Sequence, residues 1–178
     1  MSETTLSSVQ QRFILHWGEM GARWGINRTV AQIHALLYLS PHPMHAEEIA
    51  NTLSVARSNV SSSLRELQGW GIVRVAHVLG DRRDHFESLK DVWQMFEIIV
   101  AERKRREVDP TVEMLRSCLA EKADAYTIER IAAMVEFFDS MIGFYSDMQR
   151  MPKGVLSGVT KLRRKMKKLM VMQGGKPS

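Results

Sequence analysis

One stretch near the middle of the chain combines a single arginine with short hydrogen-bonding side chains. Its polar members are Arg57, Ser58, Asn59, Ser61 and Ser62. Val60, Leu64 and Leu67 recur beside them at intervals of three or four residues, which predicts a helix with the polar members on its outer side. Side chains that are neither bulky nor acidic can enter a DNA major groove and meet the edges of the bases. Arg65, further along the same helix, could contact phosphate.

A β-hairpin with a charged turn is predicted directly after this helix. Residues 72–79 are rich in β-branched side chains and predict a strand, and residues 85–88 predict a short return strand. Arg82 and Arg83 lie in the turn between them, with an aspartate on either side. An arginine at the tip of such a hairpin can reach into a narrow minor groove, where the electrostatic potential is most negative. The aspartates could hold the arginines in position.

Three further helices are predicted ahead of the polar helix. They cover roughly residues 6–24, 27–39 and 45–53, and Asn27 is a plausible N-cap of the second. Only residues 54–56 separate the third helix from the polar helix. Two helices joined by so short a connection, with a hairpin straight after them, are typical of a winged helix-turn-helix. A solvated helix face is the alternative explanation of the serines, and the hairpin with its arginines favours DNA binding.

The segment from the third helix to the hairpin resembles MarR-type regulators, and within them the GbsR-like branch. The resemblance is carried by Glu47-Glu48-Ile49-Ala50, residues 53–61, Leu64-Arg65-Glu66-Leu67, Gly71-Ile72-Val73 and Gly80-Asp81-Arg82-Arg83-Asp84-His85-Phe86. It implies a homodimeric transcriptional regulator whose partner is a double-stranded DNA operator of pseudo-palindromic sequence. Ala56 departs from the family, because many members place Ser or Thr there as the helix cap. Ser54 could supply that cap instead, or the cap could be missing.

The chain after the hairpin is predicted to be helical. Residues 127–148 carry two apolar stripes side by side, and residues 155–169 carry apolar side chains in a heptad-like spacing of 4, 3, 4 and 3. A monomer would leave these apolar faces in water, so we expect a homodimer. The expected fold is mainly α with a small β-hairpin wing. Its expected parts are an N-terminal dimerisation helix (1–26), the winged helix DNA-binding domain (27–88), a helical dimerisation and possible effector region (89–172) and a disordered tail (173–178).

The basic character of the chain comes from its C-terminal end. The net charge is +5, yet residues 150–178 hold nine basic side chains and no acidic one, so the first 149 residues carry −4. The net positive charge of the chain therefore does not by itself predict nucleic-acid binding. The DNA-binding prediction depends on the winged helix-turn-helix motif. The basic run at residues 161–168 fits a dimer-interface helix with a charged outer face, electrostatic steering toward phosphate, or a helix on a membrane surface.

Four aromatic side chains are candidates for an effector site: Trp17, Trp24, Tyr38 and Trp93. Members of the GbsR-like group are associated with osmoprotectant metabolism and choline-type compounds, so the resemblance implies an effector of the quaternary ammonium type. Such a cation favours an aromatic cage. The spacing does not show that the four side chains converge, and packing in a core or an interface is the alternative.

No set of residues suggests catalysis. The sequence has no phosphate-binding glycine loop, no HExxH motif and no nucleophile elbow. One cysteine, Cys118, excludes a disulfide framework and a cysteine-based zinc site. We therefore expect no enzyme activity, no cofactor and no metal. The predicted function is that of a ligand-responsive repressor that binds DNA, and the alternative is an interaction scaffold whose winged helix binds another protein.

Neither a membrane span nor a secretion signal is predicted. No run of apolar residues approaches the 18 or so that a spanning helix needs. The first residues are polar and lack the basic start and apolar run of a signal peptide. We therefore expect a cytoplasmic protein with no membrane partner.

Overall fold

The structure is a computed structural model in which residues 6–150 are described. The chain divides after Arg106 into two compact units. The first unit contains α1 (Ser8–Arg23), α2 (Arg28–Leu39), β1 (Met44–His45), α3 (Ala46–Leu53), α4 (Arg57–Trp70), β2 (Val73–Ala76), β3 (His85–Ser88) and α5 (Val92–Arg103). The second contains α6 (Asp109–Leu119) and α7 (Ala125–Arg150), and a π-helical turn at Lys104–Val108 precedes α6. A mainly helical fold with a small antiparallel sheet is thereby confirmed.

Helices α1 and α2 pack closely because a glycine lies where they meet. A Cβ atom added at Gly21 would lie 2.6 Å from the Cβ of Ala31, a separation that real side chains do not show. Asn27 caps α2 as predicted, since its side chain accepts a hydrogen bond from the backbone N–H of Thr29 at 2.8 Å. Ile14 of α1 is buried in the same core as the winged helix. The N-terminal helix is thus packed onto the winged helix, and its part in dimerisation stays a prediction.

Helices α3 and α4 form a helix-turn-helix around a shared apolar core. The large side chains that are fully buried are Ile33, Leu37, Ile49, Val60, Leu64, Leu67 and Ile72. Helix α3 ends at Leu53, because Ser54 adopts a left-handed backbone conformation with φ of +54°. Helix α4 ends at Trp70, because Gly71 has φ of +80°, a value that glycine adopts without strain. The apolar side of α4 is therefore buried, and its polar side faces away from the core.

The sheet has three antiparallel strands in the order β1-β3-β2. The sequence predicts only the two strands of the hairpin and misses β1, which has two residues and is too short for an alternating pattern. Met44 of β1 pairs with Phe86, and His45 pairs with His85. The third helix, predicted from His45, consequently begins at Ala46, and His45 is its N-cap.

The hairpin turns earlier than the sequence predicts. Strand β2 ends at Ala76, so the predicted strand over residues 72–79 is too long. The backbone N–H of Asp81 donates to the carbonyl of Val78 at 3.1 Å and closes a turn. Gly80 has φ of +86°, which favours glycine at this position. The apex of the wing is therefore Leu79-Gly80, and the two arginines lie on its return arm.

Lys90 links the exit of the hairpin to the end of α2. Its Nζ donates hydrogen bonds to the carbonyls of Leu37, Tyr38 and Ser40, each at 2.8 Å. Carbonyl groups at the C-terminal end of a helix carry partial negative charge and favour a cation. Partial burial in this position lowers the pKa of the Lys90 ammonium. The cation thereby fixes β3 and the wing relative to α2.

In the second unit, α7 packs on α6 with one side. Arg116 of α6 donates to Asp139 of α7, with 2.7 Å between Nη2 and Oδ1. One predicted stripe of α7 is partly buried, namely Ile128, Ile131, Val135, Phe138, Ile142 and Tyr145. In the other stripe Met134, Phe137, Met141 and Phe144 are exposed. The helix predicted over residues 155–169 and the tail predicted over 173–178 lie outside the described residues. No helix within residues 6–150 is long and apolar enough to cross a bilayer.

Candidate nucleic-acid interface

The outer side of α4 presents the polar residues that the sequence singles out. Arg57, Ser58, Asn59, Ser62 and Arg65 are exposed, and Ser61 is half-buried. Val60, Leu64 and Leu67 on the opposite side are fully buried, which anchors the helix in the core. The structure therefore brings all six predicted α4 residues onto one accessible helical surface.

Several of these polar groups are already bonded within α4. The Ser61 hydroxyl donates to the Arg57 carbonyl at 3.1 Å and accepts from Arg57 Nη1 at 2.9 Å. The Ser62 hydroxyl lies 3.2 Å from the Ser58 carbonyl and 3.0 Å from the Asn59 carbonyl. Arg65 Nε donates to the Ser61 carbonyl at 3.3 Å. These bonds orient the side chains along the helix.

Asn59 and Ser58 differ from the other polar residues of α4, because their side chains are not bonded to the helix. Within residues 6–150 the side-chain amide of Asn59 has no hydrogen-bond partner, and the residue is exposed. An asparagine amide carries one acceptor and two donors, which match the N6 and N7 edge of adenine. The exposed amide of Asn59 is therefore free to bond to a group outside the helix.

The N-terminus of α4 lacks a side-chain cap. Ala56 occupies the cap position with an extended backbone, φ −61° and ψ 139°, and no side chain there bonds to the first turn. Ser54 does not replace it, because Ser54 is the C-cap of α3. The sequence leaves open whether Ser54 caps α4 or whether the cap is missing, and the structure shows that it is missing. The first-turn N–H groups of α4 are thus left for solvent or an anion.

The two arginines of the wing have different surroundings. Arg83 Nε lies 2.9 Å and 3.0 Å from the two carboxylate oxygens of Asp81, and its Nη2 also donates to this carboxylate. The Arg83 side chain and backbone N–H hold the pKa of the Asp81 carboxyl well below its usual range. Asp81 in turn raises the pKa of Arg83. Arg82 is exposed and has no ion-pair partner within the described part of the chain.

Two histidines connect the wing to the start of α3. His85 is buried, its Nδ1 is 2.9 Å from the Arg83 carbonyl, and its Nε2 is 3.6 Å from Asp81 Oδ2. The ring of His85 meets that of His45 edge to face, with 5.5 Å between centroids. His45 Nδ1 accepts from the backbone N–H of Glu48 and so caps α3. Sequence reasoning misses this pair, because nothing local to either histidine indicates the pairing of β1 with β3.

A groove of about 470 Å³ lies between α4, the start of α3 and the wing. Its basic lining comes from Arg57 and Arg65 of α4 and from Arg83 of the wing, with Ser61 between them. Glu47 and Asp84 also line it, so the groove has mixed charge. The groove therefore brings together four of the eight predicted DNA-binding residues. The other four, Ser58, Asn59, Ser62 and Arg82, do not line it.

The four aromatic candidates for an effector site do not share one cavity. Trp17 and Trp24 line a mostly apolar cavity of about 40 Å³, together with Trp70 and His34. Tyr38 stacks on Phe13, with 6.5 Å between ring centroids, and does not line this cavity. Trp93 is 61% exposed and does not line it either.

His34 is the polar group of this cavity. It is 5% exposed, and within the described residues its Nε2 is buried without a hydrogen-bond partner. Burial, assisted by the charge of Lys90, lowers the pKa of His34 from 6.5 to about 4, so the ring is neutral near pH 7. The guanidinium of Arg103 lies 5.8 Å from the ring centroid of Trp24 and occupies one aromatic face. The sequence offers no signal for His34 or Trp70, because both depend on how α2, α4 and α5 pack.

The described residues contain no cluster of three or more His, Cys, Asp or Glu side chains that could hold a metal ion.

Comparison with known proteins relates this geometry to a family. A model of the MarR family matches residues 24–84, from the end of α1 to the return arm of the wing. The "Putative HTH-type transcriptional regulator YvaV" of Bacillus subtilis (strain 168) is 20% identical over 156 residues, which cover 83% of this chain and 88% of that protein. A crystal structure of a transcriptional regulator has a TM-score of 0.64 at 22% identity, covering 79% of this chain and 95% of that chain. Residues 24–84 are thus similar to the MarR family, and the chain shares its fold with that solved structure.

Proposed function

We propose that this protein is a sequence-specific DNA-binding transcriptional regulator of the MarR type, from the GbsR-like branch. The observation that carries the proposal is the exposed polar side of α4 beside a wing whose Arg82 is exposed and unpaired. The MarR family match over these same residues supports it. So does the description of the Bacillus subtilis relative as an HTH-type transcriptional regulator. We propose the cytoplasm as its place of action.

In the proposed complex α4 lies in the major groove. The free amide of Asn59 meets a base edge, and Ser58, Ser61 and Ser62 line the same side of the helix. Arg57 and Arg65 contact phosphate on either side and set the register. Arg82 enters the adjacent minor groove, while Asp81 holds Arg83 against the groove that faces α4.

The proposed active form is a homodimer on a pseudo-palindromic operator. Two α4 helices about 34–36 Å apart fit successive major grooves on one side of the duplex. The surfaces proposed for pairing are α1, α7 and the C-terminal segment. Val9 and Leu15 of α1 are 71% and 59% exposed, so the N-terminal helix offers apolar side chains to the proposed dimer interface. Because each half-site alone is weak, loss of the dimer would reduce operator affinity.

The proposed regulator is a repressor that a small molecule releases from DNA. The cavity at Trp17, Trp24 and Trp70 is the proposed effector site, because it has an unsatisfied polar atom, Nε2 of His34, among aromatic walls. A quaternary ammonium compound would need to displace Arg103 from the face of Trp24 and to widen the cavity. Widening would move α1 and α5 relative to α4, and so favour a dimer geometry that fits the operator poorly.

Selection of bound duplexes from a random DNA pool tests the proposed function. The full chain should enrich one pseudo-palindromic sequence, and Asn59→Ala should change the enriched bases at one position of each half-site. Failure to enrich any sequence, with no gel shift at low salt, would reject DNA binding and favour a scaffold that binds another protein. Enrichment of a single half-site without symmetry would reject the dimeric mode only.

A further inference from the structure

One side of α7 carries a row of large apolar side chains that nothing covers within residues 107–150. The α7 stripe, as we name this row, consists of Met134, Phe137, Met141 and Phe144, which are 50%, 60%, 52% and 69% exposed. Asp139, on another side of the same helix, is bonded to Arg116 of α6, so α6 does not cover the stripe. Contiguous apolar surface of this kind marks an interaction site.

The chain beyond α7 carries a second apolar row of matching spacing. The C-terminal seam, as we name it, consists of Val155, Val159, Leu162, Met166 and Leu169. Its last four members follow one another at intervals of three, four and three residues. The members of the α7 stripe, taken from Phe144 back to Met134, follow one another at the same intervals. An antiparallel arrangement therefore aligns four layers in register: Phe144 with Val159, Met141 with Leu162, Phe137 with Met166, and Met134 with Leu169. In every layer the two residues are equally far along the chain from the bond between Met151 and Pro152.

The connection between the two rows is suited to a helical hairpin. Four residues, Met151-Pro152-Lys153-Gly154, separate the end of α7 from the first member of the seam. Antiparallel helices are commonly joined by loops of about 2–5 residues. Proline cannot continue a helix and glycine accepts the left-handed conformation that turns require. So short a connection favours contact with the α7 of the same chain over the α7 of a second copy.

Charge favours the same contact. Residues 107–150 hold nine acidic and four basic side chains, whereas residues 151–178 hold eight basic and no acidic ones. A basic segment is thus attracted to an acidic helical unit. The positive charge of residues 151–178 thus has an oppositely charged partner in residues 107–150 of the same unit.

We infer that residues 155–169 form a helix that folds back on α7 and covers the α7 stripe in antiparallel register. The occupant of this apolar surface is then a segment of the same chain, and the basic side chains at 161–168 lie on the outer side of the hairpin. The α7 stripe and the C-terminal seam are then buried within one chain, so the proposed homodimer would pair through α1 and the remaining surface of the hairpin. The docking is independent of DNA binding and can be tested without DNA.

Cysteine cross-linking in the full-length protein tests the register. In a Cys118→Ser background, Met141→Cys is combined with Leu162→Cys, which belong to one layer. A short bismaleimide should join them within one chain and give a cross-linked species of monomer mass. The matched control combines Met134→Cys with Val159→Cys, two positions of the same rows that are offset by ten residues, or about 15 Å along the helix. The in-register pair should cross-link at least tenfold more efficiently.

Each outcome decides the inference. A product of dimer mass, formed also when the two single-cysteine proteins are mixed, would show that the segment covers the α7 of a second copy and would overturn it. Equal cross-linking of the two pairs would overturn the register, and no cross-linking of either pair would overturn the docking itself. A second in-register pair, Phe137→Cys with Met166→Cys, guards against a local effect of one substitution, and circular dichroism verifies that each variant is folded.

Discussion

Asp81 and Arg83, two residues apart on the return arm of the wing, form a two-pronged ion pair in which the carboxylate also accepts from the Arg83 backbone N–H at 3.0 Å. The same carboxylate lies 3.6 Å from the buried His85. The wing arginine nearest α4 is thereby held by an acidic residue and anchored to the sheet. Asp81 therefore positions Arg83, although it also places a negative charge in a surface that should bind a polyanion.

Asp81→Asn should weaken DNA binding although it removes a negative charge. The variant loses the ion pair that positions Arg83, and ordering one long side chain on binding costs about 0.5–1.5 kcal/mol, or about 2–10-fold in Kd. Fluorescence anisotropy with the selected duplex measures this change. Asp84→Asn is the matched control, because it removes the same charge from a residue without an ion pair in the described chain and should leave binding equal or tighter. Tighter binding by both variants would show that only net charge counts.

Asn59→Ala should change base preference more than Ser62→Ala does. The Asn59 amide is free to make two hydrogen bonds to a base, and their loss costs about 1–3 kcal/mol at one position. The Ser62 hydroxyl is already bonded to carbonyls of its own helix, so its removal should cost less. Selected-sequence profiles of the two variants provide the comparison. Identical profiles for Asn59→Ala and the unaltered protein would mean that this side chain is merely solvated.

Ala56→Ser should stabilise the first unit. The backbone at Ala56 already has the extended conformation of an N-cap, and only the hydroxyl is missing. A serine there can accept a hydrogen bond from the first turn of α4 and should add about 1 kcal/mol to the free energy of unfolding. Chemical denaturation at constant protein concentration measures it. Ala56→Val, which offers no acceptor, should give no gain; equal stability of the serine and valine variants would contradict the missing cap.

The neutral state of His34 should make the protein less stable in acid. Its folded-state pKa is lowered to about 4, whereas an unfolded chain binds this proton near 6.5. The stabilising contribution is therefore complete above pH 6.5 and falls as the pH drops toward 4, by about 2 kcal/mol at pH 5. His34→Leu should flatten the dependence of the urea midpoint on pH over this interval. His16→Leu, which removes an exposed imidazole of α1, is the matched control, and an unchanged slope in His34→Leu would contradict the assignment.

The sequence predicts those parts of the site that depend on local pattern. The polar side of α4 follows from the spacing of Val60, Leu64 and Leu67, and the cap of α2 follows from Asn27. Strand β1 escapes prediction because two residues show no period. The turn of the wing is displaced because the β-branched run continues past the last hydrogen bond of β2, while Gly80 sets the actual apex.

Features that depend on tertiary packing escape prediction for a different reason. The edge-to-face contact of His45 with His85 requires the pairing of β1 with β3, and the contact of Lys90 with three carbonyls joins residues about 50 positions apart. Tertiary packing also decides which of the four aromatic effector candidates lie together. Trp17 and Trp24 meet Trp70 in a cavity that only the packed helices create, whereas Tyr38 and Trp93 lie elsewhere. No spacing in the sequence distinguishes these two outcomes.

The salt dependence of binding to the selected duplex tests the central claim most directly. The logarithm of the binding constant should fall linearly with the logarithm of salt concentration, because arginines displace counterions from phosphates. Arg65→Gln should reduce the magnitude of the slope by about one without changing the preferred sequence, whereas Asn59→Ala should leave the slope unchanged and relax the preference at one position. Affinity that does not depend on salt, or that neither substitution alters, would contradict the assignment of α4 as the DNA-reading helix.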